Sequence, residues 1–388
     1  MQKMKKILSV VLAVMMIASC MGIAVSAEES LVGTKGTFDI ININIAGLPI
    51  PSSETEDGRD ALIDNIEMAG ILNNMGYDII TVQEDFNYDE FFRPILTNYN
   101  NVTDSDNKVT ERHQTVHSGG VPLGDGLNIF STFVQYNEIR KTWEESAGIL
   151  DDGSDALTNK GLLVTTVELE DGYYLDIYNI HADAYGGAAS IKAKSAQFKQ
   201  LANYVKKHSV FDEKTLTYDH AVIITGDFNQ SICWEEDDNA KLIANLIEAC
   251  HLNDAWAVQT IAEITENPEN YDAYYQYANE TDLTYDQTQA TYDSVERIMY
   301  ADGNGIDLTL DVFSYIQING WDNEPLSDHC AAAGVFNYEI VEKVQDTGTN
   351  HDKETVKQEK GMLLRFLDYI ASIFRAIGLL FQDWSNWM

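Results

Sequence analysis

Five apolar runs in this chain stop abruptly on polar side chains, and that recurrence restricts the possible folds more than any other feature. "VIITGDFNQS" opens with Val222, Ile223 and Ile224 and then presents Asp227 and Asn229. "IININIAGLP" ends at Asn44, "DIITVQEDF" at Gln83 and Glu84, and "LDIYNIHADA" at Asn179 and His181. "PLSDHCAAAG" places Asp328 and His329 on the way into a final apolar strand. β-Branched and apolar side chains pack well on a pleated surface, so each run reads as a buried strand. Alone, an Asp or Asn after a strand is a turn former, a His is a structural residue, and a Gln-Glu pair is a solvated edge. Together they make one sheet edge a platform for polar groups.

Between these runs lie helical patterns. Leu62, Ile66, Ala69 and Leu72 share a face over Asp60 to Met75, with Gly76 as the stop. Ile191, Phe198, Leu201, Ala202 and Val205 form a second stripe. Strands are expected over Ile40–Ile45, Ile79–Val82, Leu175–Ile180, Ala221–Thr225 and Asp307–Phe313. Interleaved strands and helices predict an α/β layered domain over residues 28–341. The Tyr-rich stretch from Tyr271 to Tyr300 reads as an excursion decorating it.

Both ends differ from this middle. Residues 1–27 read as an export signal, with Lys3, Lys5 and Lys6 before an apolar run and Val25-Ser26-Ala27 as the cleavage site. The expected location is therefore secreted or cell-surface associated; Cys20 in a lipobox-like setting, or an uncleaved anchor, are the alternatives. Residues 342–360 form a polar linker without periodicity. In 361–388, Leu363, Leu367, Ile370, Phe374, Ile377, Phe381 and Trp384 make one apolar stripe of an amphipathic helix. Arg365, Asp368 and Arg375 interrupt it, which argues against a spanning helix. An interfacial helix and a helix docked on protein both fit.

The formal net charge of -37 argues against a broad nucleic-acid-binding face, because such a surface repels polyanions. A local cationic or metal-filled cleft is compatible with it. The four cysteines, Cys20, Cys233, Cys250 and Cys330, show neither zinc spacing nor a disulfide framework.

In their order along the chain, the five polar strand ends resemble the motifs of the endonuclease/exonuclease/phosphatase superfamily, which includes DNase I and bacterial sphingomyelinases. The resemblance covers roughly Phe38 to Tyr338. It implies a DNase I-like, four-layered α-β-β-α sandwich. It also implies a site in which Asn44, Glu84 and Asp328 bind a divalent cation. Oxygen-only ligands favour Mg²⁺, with Mn²⁺ or Ca²⁺ also suited. Asp227 would align or deprotonate the attacking water, Asn229 would position water and phosphate, and His181 and His329 would donate to phosphoryl oxygens, one acting as general acid.

The chain departs from the family at three places. An Asp of an Asp-Arg-Ile strand commonly orients the second histidine, whereas "VERIMY" has Glu296 there, with Asp293 as fallback. The acid that abasic-site endonucleases carry after the first Asn is Ala46 here, and no acid supporting His181 is evident. In "HSGGVPLGDGLNIFS" the glycines read as turn formers, with Asp125 or His117 as minor cleft candidates. Lys160 reads as a surface lysine or a phosphate contact. The expected function is an exported metal-dependent phosphodiesterase acting on phospholipid headgroups, with contact to a membrane surface. A secreted nuclease with nucleic acid as substrate, a phosphomonoesterase and a non-catalytic binding protein are the alternatives, and the oligomeric state is left open.

Overall fold

The structure is a computed structural model that describes residues 31–47, 61–86, 88–99, 102–103, 124–148, 158–184, 186–231, 241–266 and 294–343. The expected leader, the C-terminal helix, Cys20, Cys233, His117, Asp293 and most of the polar linker lie outside the described residues.

In chain order the strands are β1 (Lys35–Asn44), β2 (Ile79–Gln83), β3 (Val102–Thr103), β4 (Asn128–Ser131), β5 (Gln135–Thr142), β6 (Gly161–Glu170) and β7 (Tyr173–His181). They continue with β8 (Phe211–Asp212), β9 (Thr217–Tyr218), β10 (Ala221–Asp227), β11 (Asn253–Asp254), β12 (Glu296–Ala301), β13 (Ile306–Ile316) and β14 (Ala331–Ile340). One sheet runs β13-β14-β1-β2-β4 and the other β11-β12-β10-β7-β6-β5-β3, with a small β8-β9 ribbon besides. The helices are α1 (Ala61–Met75), α2 (Asp89–Phe92), α3 (Ala188–His208), α4 (Leu242–Cys250) and α5 (Ala255–Glu266).

Alternation along the strands divides the apolar residues into three layers, because successive side chains point to opposite faces. Phe38, Ile40, Ile129, Leu163, Ile177, Ile223, Ile298 and Phe336 fill the space between the two sheets. Ile41, Ile43, Ile80 and Val82 point outward against Met68, Ala69 and Leu72 of α1. Tyr178, Ile180, Val222 and Ile224 do the same on the far side, against Phe198, Leu201 and Val205 of α3 and Leu246 of α4. The result is the α-β-β-α sandwich that the sequence resemblance implies.

Two expectations need adjustment. The inward face of α1 carries Ala61, Asp64, Asn65, Met68, Ala69 and Leu72, whereas Ile66 faces solvent. Asn65 turns inward because its Nδ2 donates to the carbonyl of Ile45 at 2.9 Å, a group just past β1. The Tyr-rich stretch ends in β12, whose six residues are all buried, so at least that part belongs to the sheet core.

A polar bridge crosses the apolar interior near one end. Gln83 Nε2 donates to Asn42 Oδ1 at 2.7 Å within its own sheet and to Asn179 Oδ1 at 2.6 Å in the other. Asn179 Nδ2 returns to the carbonyls of Val82 at 2.8 Å and Asn128 at 2.9 Å. Asn42, Gln83, Asn179, Val82 and Asn128 are all buried, so these partners cannot be replaced by water without cost.

Three residues before Asn179 in β7, buried Asp176 accepts from Thr166 Oγ1 and Ser209 Oγ, each at 2.6 Å, and pairs with His220 Nδ1 at 3.1 Å. Burial opposes charge on both partners, but their mutual attraction outweighs it, lowering the Asp176 pKa and raising that of His220.

Replacing Gln83 by Ala should destabilise the fold by about 1–3 kcal/mol for the stranded Asn179 acceptor alone, read as a lower urea midpoint at unchanged slope. For His220 the raised pKa means that its contribution is complete below the ordinary imidazole range and is lost as pH rises through the folded value. The urea midpoints of wild type and His220→Ala should therefore differ at pH 6 and converge towards pH 9.

Candidate active site

Strand direction gathers the polar residues. β1, β2, β7 and β10 end at the same rim of the sandwich, since β1 is parallel to β2 and β7 to β10. β12 runs antiparallel to β10, so its first residue, Glu296, sits opposite Asp227, and Asp227 in turn sits beside His181. β14 runs antiparallel to β1, so the turn before it carries Asp328 and His329 to the end of β1. Ser327 fastens that turn by donating its Oγ to the Asn44 carbonyl at 2.7 Å and accepting the His329 amide at 3.1 Å.

Three rim residues have strained backbone. Ala46 (φ 48°), Glu84 (φ 60°) and Asn229 (φ 48°) occupy the left-handed region, where a non-glycine residue costs roughly 1–3 kcal/mol. At Glu84 this conformation lets Gln83 point into the sandwich while its neighbour takes up the rim. Two glycines crowd that backbone: a Cβ on Gly47 would lie 2.3 Å from the Glu84 carbonyl oxygen, and one on Gly126 (φ 67°) would lie 2.7 Å from the Phe86 ring and 3.1 Å from Glu84 Cα. Gly126 thus does more than permit a turn. Asn229 is held by its amide on Asp227 Oδ1 at 2.8 Å, by its Nδ2 on the Ala182 carbonyl at 3.1 Å, and by Lys194 Nζ on its own carbonyl at 2.5 Å.

Asn44 links the two halves. Its Nδ2 lies 3.2 Å from Glu84 Oε1 and 3.1 Å from Asp227 Oδ2. His181 Nε2 is 3.4 Å from the same Asp227 oxygen and 3.9 Å from Glu84 Oε1. Its Nδ1 is buried and has no hydrogen-bond partner, so no described acid supports it. The His181 carbonyl accepts from Trp143 Nε1 at 2.7 Å, and the next carbonyl, Ala182, accepts from buried Lys160 Nζ at 3.2 Å. Lys160 is therefore part of the floor of the site rather than a surface lysine. Asp125 is bound by Arg140 at 2.8 Å, an ion pair that takes up its carboxylate.

Glu296 hydrogen-bonds His329 Nδ1 through Oε1, so the longer acid at this position reaches the imidazole. Asp328 is largely exposed, its carboxylate 3.8 Å from His329 Nε2. Electrostatics follow from these positions. Burial, only partly offset by Lys160, His329 and the Asn44 amide, raises the Glu84 pKa, and burial pushes Asp227 up to about 6. Burial, with the positive charges of Lys160 and His329, drives the His181 pKa well down. For His329 burial acts the same way, but Glu296, Asp227 and Asp328 outweigh it and the pKa rises well above the ordinary value.

The donor set suits a hard divalent cation. Glu84, Asp227, Glu296 and Asp328 bring four carboxylates to a rim where Lys160 and His329 are the positive charges that act on Glu84 and Asp227. Atoms of Asp227, Glu296 and His329 lie within 4.8 Å of one another. Both Glu296 oxygens are already hydrogen-bonded, one by His329 and one by Ser294. That trio is thus an acid–imidazole pair beside Asp227, and Glu84, next to Asn44, together with exposed Asp328 could hold a cation.

Sequence motifs identified the eight polar residues the structure gathers here, Asn44, Glu84, His181, Asp227, Asn229, Glu296, Asp328 and His329. They did not single out Trp143, Gly47 or the clamping role of Gly126. The tight glycine approaches depend on a backbone path no local pattern encodes.

The family described as Endonuclease/Exonuclease/phosphatase family 2 matches residues 63–334. A sphingomyelinase of Mycobacterium tuberculosis (strain ATCC 25618 / H37Rv) is 30% identical over 313 residues, 78% of this chain and 53% of that protein. The chain thus spans about half the length of the curated relatives it matches. Among solved structures, sphingomyelinase C from Streptomyces griseocarneus aligns with 14% identity and a TM-score of 0.47, covering 77% of this chain and 99% of that one. A Staphylococcus aureus beta toxin with bound magnesium ions aligns with 14% identity and a TM-score of 0.48, covering 77% and 99%.

Cation binding to the folded state should raise the melting temperature as Mg²⁺ is added above an EDTA baseline, by the amount that mass action dictates. Glu84→Gln should abolish the rise. Gly126→Ala, which removes no ligand atom, should reduce it by displacing the Glu84 backbone.

Proposed function

The chain belongs to the endonuclease/exonuclease/phosphatase family, and on that premise we propose that it is an exported, divalent-metal-dependent phosphodiesterase that hydrolyses phospholipid headgroups. The observation that carries the phosphoester chemistry is the meeting of Glu84, Asn44, Asp227, His181 and His329 at one rim. The choice of lipid rests on the similarity to a sphingomyelinase. Export rests on the leader expected over residues 1–27, and the stripe over 361–388 is suited to hold the enzyme at a membrane surface.

Glu84 and Asn44 would hold the cation, Mg²⁺ before Mn²⁺ or Ca²⁺, with Asp328 completing the set from the rim, directly or through water. When bound, the cation neutralises phosphoryl charge and stabilises the leaving oxygen. Asp227 accepts the proton of the attacking water at its carboxylate, held in place by the Asn44 and Asn229 N–H groups. Asn229 keeps its own Oδ1 available, since its Nδ2 is committed to Ala182. His329 has its Nδ1 committed to Glu296, which leaves Nε2 to donate to the phosphoryl group or protonate the leaving oxygen. His181, whose pKa burial drives well down, would orient the Asp227 carboxylate through Nε2.

The test is phosphate-ester release by the whole mature chain, with Mg²⁺ or EDTA, on sphingomyelin and phosphatidylcholine vesicles, plasmid DNA and soluble phosphomonoesters. EDTA-sensitive release of a phosphorylated headgroup is expected; cleavage confined to DNA or to soluble esters would replace the lipid reading by a nuclease or phosphomonoesterase. Asp227→Asn and His329→Ala should each lower kcat by about 10²–10⁴-fold with unchanged circular dichroism.

A further inference from the structure

A carboxylate that orients an imidazole works only if its own rotamer is fixed, and Glu has one more torsion to fix than Asp. Glu296 is 1% exposed at its side chain and stands at the first residue of β12, where the ladder holds only one side of it. Its second oxygen, Oε2, accepts a hydrogen bond from Ser294 Oγ. The same hydroxyl accepts from the Glu296 backbone amide at 3.4 Å, so Ser294 closes a local ring around the glutamate stem. Tyr315 of β13, in the other sheet, holds that ring from outside: its hydroxyl accepts from the Ser294 amide at 3.1 Å and donates to the Glu296 carbonyl at 3.2 Å. Arg297 Nη1 donates to the Ser294 carbonyl at 3.2 Å, and the buried Cys330 thiol packs 3.9 Å from Oε2. His329, by contrast, keeps 21% of its side chain exposed, so its outward nitrogen reaches the rim.

We infer that Ser294 and Tyr315 are positioning residues that lock the longer Glu296 side chain and so set the direction in which His329 presents Nε2. This deepens the reading of the site as a phosphoesterase centre and rests on it. Neither residue approaches the reacting atoms. Each acts through Glu296, Ser294 on the carboxylate and Tyr315 on the backbone beneath it. The arrangement also explains how a glutamate serves where the family commonly has an aspartate: the hydroxyl of Ser294 occupies the second oxygen and leaves only one for the imidazole.

The experiment pairs kinetics with proton NMR of the metal-free whole chain. A downfield imidazole N–H resonance, assigned by its loss in His329→Ala, reports the Glu296–His329 bond without substrate. Ser294→Ala should broaden or shift that resonance and lower kcat about tenfold to a hundredfold at unchanged KM, with the melting temperature nearly constant. Ser294→Thr should restore both, and Tyr315→Phe should lower kcat in the same direction; it stands in for Ser294→Ala if that variant fails to fold. Resonance and kcat both unchanged in Ser294→Ala would overturn the inference, as would a loss of kcat that Ser294→Thr fails to restore. A wild type that hydrolyses no phosphoester would refute the functional reading instead, and the resonance would still decide the role of Ser294.

Discussion

The bond from Gln83 to Asn179 is the contact on which the rest of the rim depends. Apolar layers hold two sheets together but specify their relative placement weakly, because a sliding Ile loses little. An amide donor 2.6 Å from a buried amide acceptor has no such freedom. Asn44, Glu84, Asp328 and His329 belong to one sheet; His181, Asp227, Asn229 and Glu296 belong to the other. The bridge lies directly beneath them, one residue before Glu84 and two before His181. It converts the packing of two sheets into a fixed distance between two half-sites.

Across that seam the site residues then bond to each other. Asn44 reaches Asp227, and His329 reaches Glu296. Buried groups of like charge thus sit close with few cations among them, and burial leaves Glu84 and Asp227 reluctant to ionise. Such an arrangement is costly for an isolated fold, and a cation of charge two would relieve it. The two histidines divide by environment: burial and nearby positive charge push the pKa of His181 down, whereas the carboxylate of Glu296 pulls that of His329 up.

Much of this was legible in the sequence. The polar ends of apolar runs gave the rim, because a strand's carboxyl end is encoded locally by where the β-branched residues stop. The inward face of α1 was misjudged because Asn65 answers a carbonyl on a different element, a partner that helical periodicity does not describe. The burial of Lys160, read as a surface lysine or a phosphate contact, was hidden for the same reason: only the path of β6 and β7 brings the Ala182 carbonyl to it. The Tyr-rich region concealed β12, since a strand between two others needs no alternation to be buried on both faces.

The placement of β1 has a consequence in time. It lies between β2, which follows soon after it, and β14, whose residues pair with it from Lys35 opposite Glu339 to Asn42 opposite Ala332. An emerging chain can form the β1–β2 pair early, but the opposite flank of β1 waits for almost the whole domain to be made. Since Ser327 and His329 arrive with that last strand, the rim is assembled at the end of chain growth. Contacts so distant along the chain are slow to close. The rim therefore matures last, after the layers that support it.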